Sequence, residues 1–346
     1  LRTSLSEVCL QTKLLISNSE CSSIEEFLLK CIAGPSVANI RQSIKYLQKL
    51  GALDEKENLT LLGNHLAHMP IDSKYGKMLI NSIIFKCFNP ILSLVSILSM
   101  GEQIFLLPIS PADRFKCINW RKNVAGESHS DHYMMIKIFQ MWLNLKSTQQ
   151  NDRKFCEEHF ISKNHIEHVR GIRKQILGYL EQSDLVGKNP NQLNENSENW
   201  SVLKAVICSG LYPFIARIER QRGSMYTEID SKLTFHMSSV LFMKKEGYKA
   251  TLRKLPVEWA VFEEKNRVGR LSMLKCNTLV SSLTVSLTSG SSLLEDEYIN
   301  AGNSKTKLDN SGWDDDEWED FCDDQEELMM MEKNYKNLKI DGLLKF

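Results

Sequence analysis

Residues 36–70, SVANIRQSIKYLQKLGALDEKENLTLLGNHLAHMP, constrain the fold more than any other stretch of the chain. Pro35 and Ser36 form a helix-start signal. Val37, Ile40, Ile44 and Leu47 then recur at the spacing that buries one helical face. Gly51 stands where a helix needs a left-handed residue to end. Residues 52–54 and 58–60 flank the polar triplet Glu55, Lys56 and Glu57, which reads as a short hairpin. Residues 63–69 add a brief helix before Pro70 stops it. Helix, tight hairpin and short helix, in that order, form the pattern of a winged helix. Two amphipathic segments precede it, residues 5–15 and 24–31, the second opened by a Ser22–Ser23 cap and an acid at Glu25. A winged-helix domain is predicted over residues 1–70.

Residues 71–186 are helical almost throughout. Met78, Leu79, Ile83 and Cys87 share a face, and Asn89-Pro90 reads as a break. Residues 91–100 are apolar nearly all round, as a bundle's central helix should be. Residues 105–111 carry two prolines and read as a loop. Asp131 is expected to cap a helix reaching Leu145, and Phe155, Phe160, Ile166 and Val169 mark two more, ending near Leu180. Residues 187–199, polar, Asn-rich and holding Pro190, read as a linker. After a helical run at 203–208, short β-rich segments at 214–218, 233–236, 259–262, 267–276 and 283–287 predict a small barrel over residues 200–290. Residues 291–312 hold too few apolar side chains to order themselves and are expected to be a disordered insertion. In the acidic segment 313–346, residues 325–338 place Leu328, Met331, Tyr335 and Leu338 on one helical face, the pattern of a closing helix. The fold class is α+β, mostly α: winged helix, helical bundle, small barrel and acidic tail.

Composition is that of a globular protein, 42% hydrophobic and 25% charged, and no apolar stretch is long enough to span a bilayer. The formal net charge of zero hides an asymmetry. Residues 291–346 carry 16 Asp or Glu against 6 Lys or Arg, while residues 1–290 carry 37 basic against 27 acidic side chains. A body of +10 beside a tail of −10 suits a polyanion-binding surface with a tail able to compete for it, or simply a solvated tail. Nine cysteines occur without a C-x-x-C pair, which reads as reduced thiols in an intracellular protein; of the intracellular compartments the cytoplasm is expected over the nucleus.

Neither a phosphate-binding G-x-x-x-x-G-K-[ST] loop nor an Asp-Glu-Ala-His sequence occurs, so ATP hydrolysis is not expected of this chain. His65 with His68, and His159 with His165 and His168, lack the further ligands of a metal site. Ser130-Asp131-His132 is a helix N-cap in this reading, since adjacent residues cannot face one another as a triad does. No catalytic residue is expected. The cations carry the functional signal. Arg41, Lys45 and Lys49 form a stripe opposite the apolar face of the organising helix, either a phosphate contact or a solvated face. Arg217, Arg220 and Arg222 follow a predicted strand. Lys244, Lys245, Lys249, Arg253 and Lys254 surround Tyr248 in a predicted loop. Cations with an interleaved ring are what single-strand binding uses, phosphates on the charges and a base on the ring.

Several motifs together resemble the C-terminal helicase-associated region of the DEAH-type RNA helicases: LRTSLSEVCLQTKLL at residues 1–15, LGALD at 50–54, LTLLG at 59–63 and HLAHMP at 65–70. GKM at 76–78, Asp131-His132, NSENW at 196–200 and GLYP at 210–213 extend the resemblance over about residues 1–287. It implies that the bundle is ratchet-like, that the barrel is an oligonucleotide-binding (OB) fold, and that Trp318 to Phe321 form its last strand. It further implies single-stranded RNA and the RecA-like motor domains of the same parent chain as partners. ATP and magnesium would belong to those motor domains, leaving this chain, read as a fragment, without a cofactor. The alternative is a non-enzymatic adaptor from a degenerate helicase relative, working in translational control through protein partners. Two departures stand out: His236-Met-Ser-Ser239 replaces the family's His-Pro-Ser-Ser, and Ser281-Ser282 stands where a proline is usual.

Overall fold

The computed structural model describes residues 5–16, 23–101, 104–187, 190–230, 233–243, 247–268 and 271–289. The first unit holds α1 (Leu5–Ile16), α2 (Ile24–Leu29), α3 (Val37–Leu50) and α4 (Leu61–His68). The start and stop of α3 follow from single residues. The Ser36 hydroxyl accepts from Asn39 N at 3.3 Å, and Gly51 ends the helix in the left-handed region with φ 83°. The hairpin contracts to one bridge, Leu53 with Leu59, braced by the Asp54 carboxylate, which accepts from Lys56 N and Asn58 N. Thr60 then caps α4, accepting from Gly63 N at 3.0 Å while its hydroxyl donates to Gly51 O.

The bundle comprises α5 (Ser73–Ile84), α6 (Phe88–Ser99), α7 (Pro111–Ala125), α8 (Asp131–Ser147), α9 (Asp152–Glu158) and α10 (Lys163–Gln182). Helix α6 is its axis, buried at Phe88 and from Pro90 to Ile97 among α5, α8 and α10. Pro90 starts this helix instead of breaking the chain. It lies in the first turn, where a backbone N–H has no partner within the helix. Helix α7 falls within the stretch read as helical and buries a narrow stripe, Cys117, Arg121 and Ala125.

The described part of the expected linker is a packed strap. Its Oδ1 at Asn194 accepts from Asn89 N (2.8 Å) at the start of α6. Asn196 donates through Nδ2 to Phe85 O (2.9 Å) and through N to Lys86 O (2.8 Å), closing the end of α5. Asn199 caps α11 (Trp200–Leu211), accepting from Ser201 N at 3.1 Å. The asparagines are there to satisfy helix ends. Helices α11 and α5 approach so closely that a Cβ on Gly210 would lie 2.1 Å from Met78 Cγ and 2.9 Å from Lys74 O.

The barrel follows, with β1 (Ile215–Glu219), β2 (Ser224–Tyr226), β3 (Leu233–Phe235), α12 (Tyr248–Lys254), β4 (Trp259–Val268), β5 (Leu271–Val280) and α13 (Ser282–Thr288). Strand order is β2-β1-β4-β5-β3, all pairs antiparallel except β3 with β5. The outer strands β2 and β3 touch, so the sheet curls into a nearly closed barrel. Two sequence expectations change here. Residues 283–287 are a helix: Ser281 caps α13 by accepting from Thr284 N, and the helix packs on α11. Ser281-Ser282 therefore still begins a helix where the family has proline. Strand β2, only three residues long, left no alternation to read.

Bundle and barrel are joined by buried polar contacts. Ser130 caps α8, and Asp131 reaches out of the helix to accept from Ser239 Oγ (2.7 Å), Val240 N (2.7 Å) and Asn277 N (2.8 Å). His132 Nδ1 lies 2.7 Å from Thr278 Oγ1, and Leu279 N donates to His129 O. Glu263 of β4 accepts from Lys74 Nζ (2.7 Å) and from the Tyr75 hydroxyl. The winged helix is tied on by Lys77, whose Nζ donates to Leu50 O at the end of α3 (2.8 Å). The predicted insertion over 291–312, and the last strand and closing helix over 313–346, lie outside the described residues. Among the described residues no helix is long and apolar enough to cross a membrane.

Candidate nucleic-acid interface

The barrel brings together two cationic groups that are some thirty residues apart in sequence. Arg217 lies on β1, and Arg220 and Arg222 on the turn to β2. Lys249, Arg253 and Lys254 lie on α12. The turn and the helix touch at Gly223, where a Cβ would stand 3.0 Å from Lys249 Cα. Arg220 bridges them, donating through Nη1 to Leu255 O (3.2 Å) and facing Glu258 at 3.9 Å. Arg222 faces Glu219 at 3.4 Å. Among the described residues these six cations lie toward one end of the barrel with Glu219 and Glu258, and Arg222, Arg253 and Lys254 are exposed there. Lys244 and Lys245 lie outside the described residues.

Tyr248 does not fit the role the sequence suggested. It is 4% exposed at the first position of α12, and its hydroxyl donates to Leu233 O at 2.5 Å. Burial raises its phenol pKa. No ring face is left to receive a base. The segment is also a helix, not a loop, with Tyr248, Thr251 and Leu252 buried at helical spacing.

The second stripe is largely engaged. Arg41 makes a bidentate pair with Glu25 through Nε (2.8 Å) and Nη2 (2.9 Å), which raises the pKa of the one and lowers that of the other. Lys49 faces Glu228 of the β2–β3 turn at 3.6 Å, and Lys45 between them is exposed. A further cationic surface went unread in the sequence. Arg170, Arg173 and Lys174, with Glu167, Leu143 and Leu177, line a groove of about 500 Å³ beside α8 and α10, where Arg170 faces Glu167 at 3.9 Å. Arg173 is held there by Ser93 Oγ (3.1 Å) and Asn89 Oδ1 (3.2 Å).

Comparison with known proteins agrees with this architecture segment by segment. Residues 43–71 match the winged-helix part of the helicase associated domain (HA2), and residues 72–135 its ratchet-like part. Residues 203–292 match the oligonucleotide/oligosaccharide-binding fold that accompanies them. The chain belongs to the helicase-associated region of the DEAH-type helicases. Among its relatives is the ATP-dependent DNA/RNA helicase DHX36 of Bos taurus, 31% identical over 80% of this chain and 27% of its own length. The DExH-box ATP-dependent RNA helicase DExH3 of Arabidopsis thaliana is 30% identical over 81% of this chain and 22% of its own. The protein benign gonial cell neoplasm of Drosophila melanogaster is 28% identical over 83% and 24%. The chain thus spans about a quarter of the length of these curated relatives.

In this helicase-associated region the signature residues are joints. Lys77 of GKM closes α3, Gly210 of GLYP lets α11 meet α5, and the asparagines of NSENW cap helices. Asp131-His132 fastens bundle to barrel. Burial lowers the His132 pKa to about 3 and raises that of Asp131, so the pair is built for hydrogen bonding within the core. His236 is likewise lowered to about 4 by burial, with Lys275 adding to the effect. The substituted loop keeps its anchor: Ser239 still reaches Asp131, although Met237 replaces the family's proline. Among the described residues no three His, Cys, Asp or Glu side chains gather as a metal site would.

Proposed function

We propose that this region binds single-stranded RNA at the basic end of its barrel and braces the motor lobes of an ATP-dependent RNA helicase. The observation that carries the reading is the meeting of the β1–β2 turn with α12. It brings Arg217, Arg220, Arg222, Lys249, Arg253 and Lys254 to one end of the barrel, with Glu219 and Glu258 beside Arg222 and Arg220. Such a surface neutralises phosphates without reading sequence, since the strand's charge is the same whatever its bases. The names of the relatives support RNA as the polyanion.

Bracing is supported by apolar side chains left in solvent. Leu29, Ile32 and Leu61 are exposed on the winged helix, and Leu106, Ile109 and Phe115 on the bundle. Large apolar side chains left exposed on both units are the kind of surface that other protein covers. ATP and magnesium chemistry belongs, in this reading, to the motor lobes.

The test is a fluorescence anisotropy titration of the chain with a short unstructured RNA over a range of salt. The reading expects log K to fall linearly with log salt, by about 0.7 for each phosphate neutralised. Absence of saturable binding at low salt would remove it.

A further inference from the structure

Arg217 has a direct partner on each side in the sheet, Tyr226 on β2 and Trp259 on β4. Residues directly opposite in antiparallel strands project from the same face. That face points outward. Ala216 and Ile218 on β1 are buried while Arg217 is half-buried, and Tyr226 and Trp259 are half-buried beside the buried Met225 and Ala260. A phenol, a guanidinium and an indole therefore form a row across three neighbouring strands. With strands about 4.8 Å apart, the row is roughly 10 Å long. The guanidinium carbon lies 5.8 Å from the centre of the Trp259 ring.

The row and the cations share a surface. Glu219, two residues along β1 on the same face, holds Arg222 at 3.4 Å. A strand whose phosphates rest on Arg222 and α12 thus has its bases beside Tyr226 and Trp259. Every base has a π-face, and aromatic rings flanked by a cation accept that face without regard to sequence.

We propose that Tyr226, Arg217 and Trp259 form a stacking platform for unpaired bases of the bound strand. The inference rests on the RNA-binding reading, and names where the bases go when the phosphates are on the cations. Tyr226 and Trp259 supply the rings. Arg217 bridges them and adds charge at the centre. The platform takes over the part that Tyr248, being buried, cannot play.

The probes are a ten-nucleotide oligouridylate and an oligomer of equal length whose central nucleotides are abasic, each titrated into the chain by anisotropy at two salt concentrations. The wild-type chain is expected to prefer the base-bearing probe by about 5- to 100-fold. Tyr226→Leu and Trp259→Leu keep apolar bulk but remove the ring, and should bring that preference toward unity with the salt slope unchanged. Trp259→Phe keeps a ring and should retain most of it. Tryptophan emission gives a second readout that needs no disruptive change: RNA should quench the wild-type chain more than Trp259→Phe. Equal affinity of the wild-type chain for the two probes would overturn the platform and leave phosphate binding standing. So would an undiminished preference in both Leu variants, or quenching that ignores residue 259. Failure of both probes to bind at low salt would overturn the platform and the RNA reading together.

Discussion

Asp131 and Ser239, 108 residues apart, meet at 2.7 Å where the bundle joins the barrel. The carboxylate also accepts from Val240 N and Asn277 N, so one buried side chain organises the loop and the strand opposite it. Removing an acceptor leaves its donors unsatisfied, at about 1–3 kcal/mol each. With three donors stranded, Asp131→Ala should therefore cost at least about 3 kcal/mol in a urea or guanidinium melt, and Ser239→Ala about 1–2 kcal/mol. A cost near zero for Asp131→Ala would mean that the barrel is held by other contacts.

Stability should fall in mild acid because two histidines are buried neutral. His132 is lowered from 6.5 to about 3 and His236 from 6.5 to about 4, both chiefly by burial. The unfolded chain takes up these protons below about pH 6.5 and the folded chain does not. Their contribution is therefore complete above pH 6.5 and is lost as pH falls toward 4 and then 3. Asp131 works in the opposite sense, since a raised pKa favours the folded state at low pH and loses its contribution as pH rises through the raised value. The melting temperature should drop between pH 7 and pH 4.5, and should drop less in His236→Gln. A melting temperature that is flat over this range would contradict the buried-neutral assignment.

The acidic segment gives a third expectation. Between residues 313 and 327 the chain carries ten Asp or Glu and no Lys or Arg. On the RNA-binding reading proposed above, a segment of this charge on the same chain would compete with the phosphates of a bound strand for the barrel's cations. Changing Asp314, Asp315 and Asp316 to Asn should tighten RNA binding severalfold at low salt and leave it unchanged at high salt, where exposed charges are screened. Identical affinities at low salt would leave the tail with no part in binding.

What could be read in the sequence was what single residues decide. Ser36 and Gly51 fix α3 by their own backbone chemistry, so both ends were legible. The long β4–β5 hairpin announced itself through two apolar runs, although each proved longer or differently bounded than expected. What depends on pairing between distant segments was not legible. Tyr226 and Trp259 sit on either side of Arg217 only because of strand register, and nothing near any of the three reports it. Tyr248 misled because five cations around it hide a helical period of only seven residues, whose apolar members are buried. Asn194 and Asn196 read as linker composition because the helix ends they satisfy lie about a hundred residues earlier.

RNA is proposed above to bind at the barrel's basic end. Arg222, Arg253 and Lys254 are exposed side chains of that end. Changed together to Gln, they should weaken binding of a short single-stranded RNA and lower the salt slope by about 2, close to 0.7 for each lost phosphate contact. The same chain should keep its melting temperature, since none of the three is buried. Anisotropy at a series of salt concentrations reads both affinity and slope: a flatter, weaker isotherm is the predicted result, and an unchanged affinity and slope would place the RNA elsewhere.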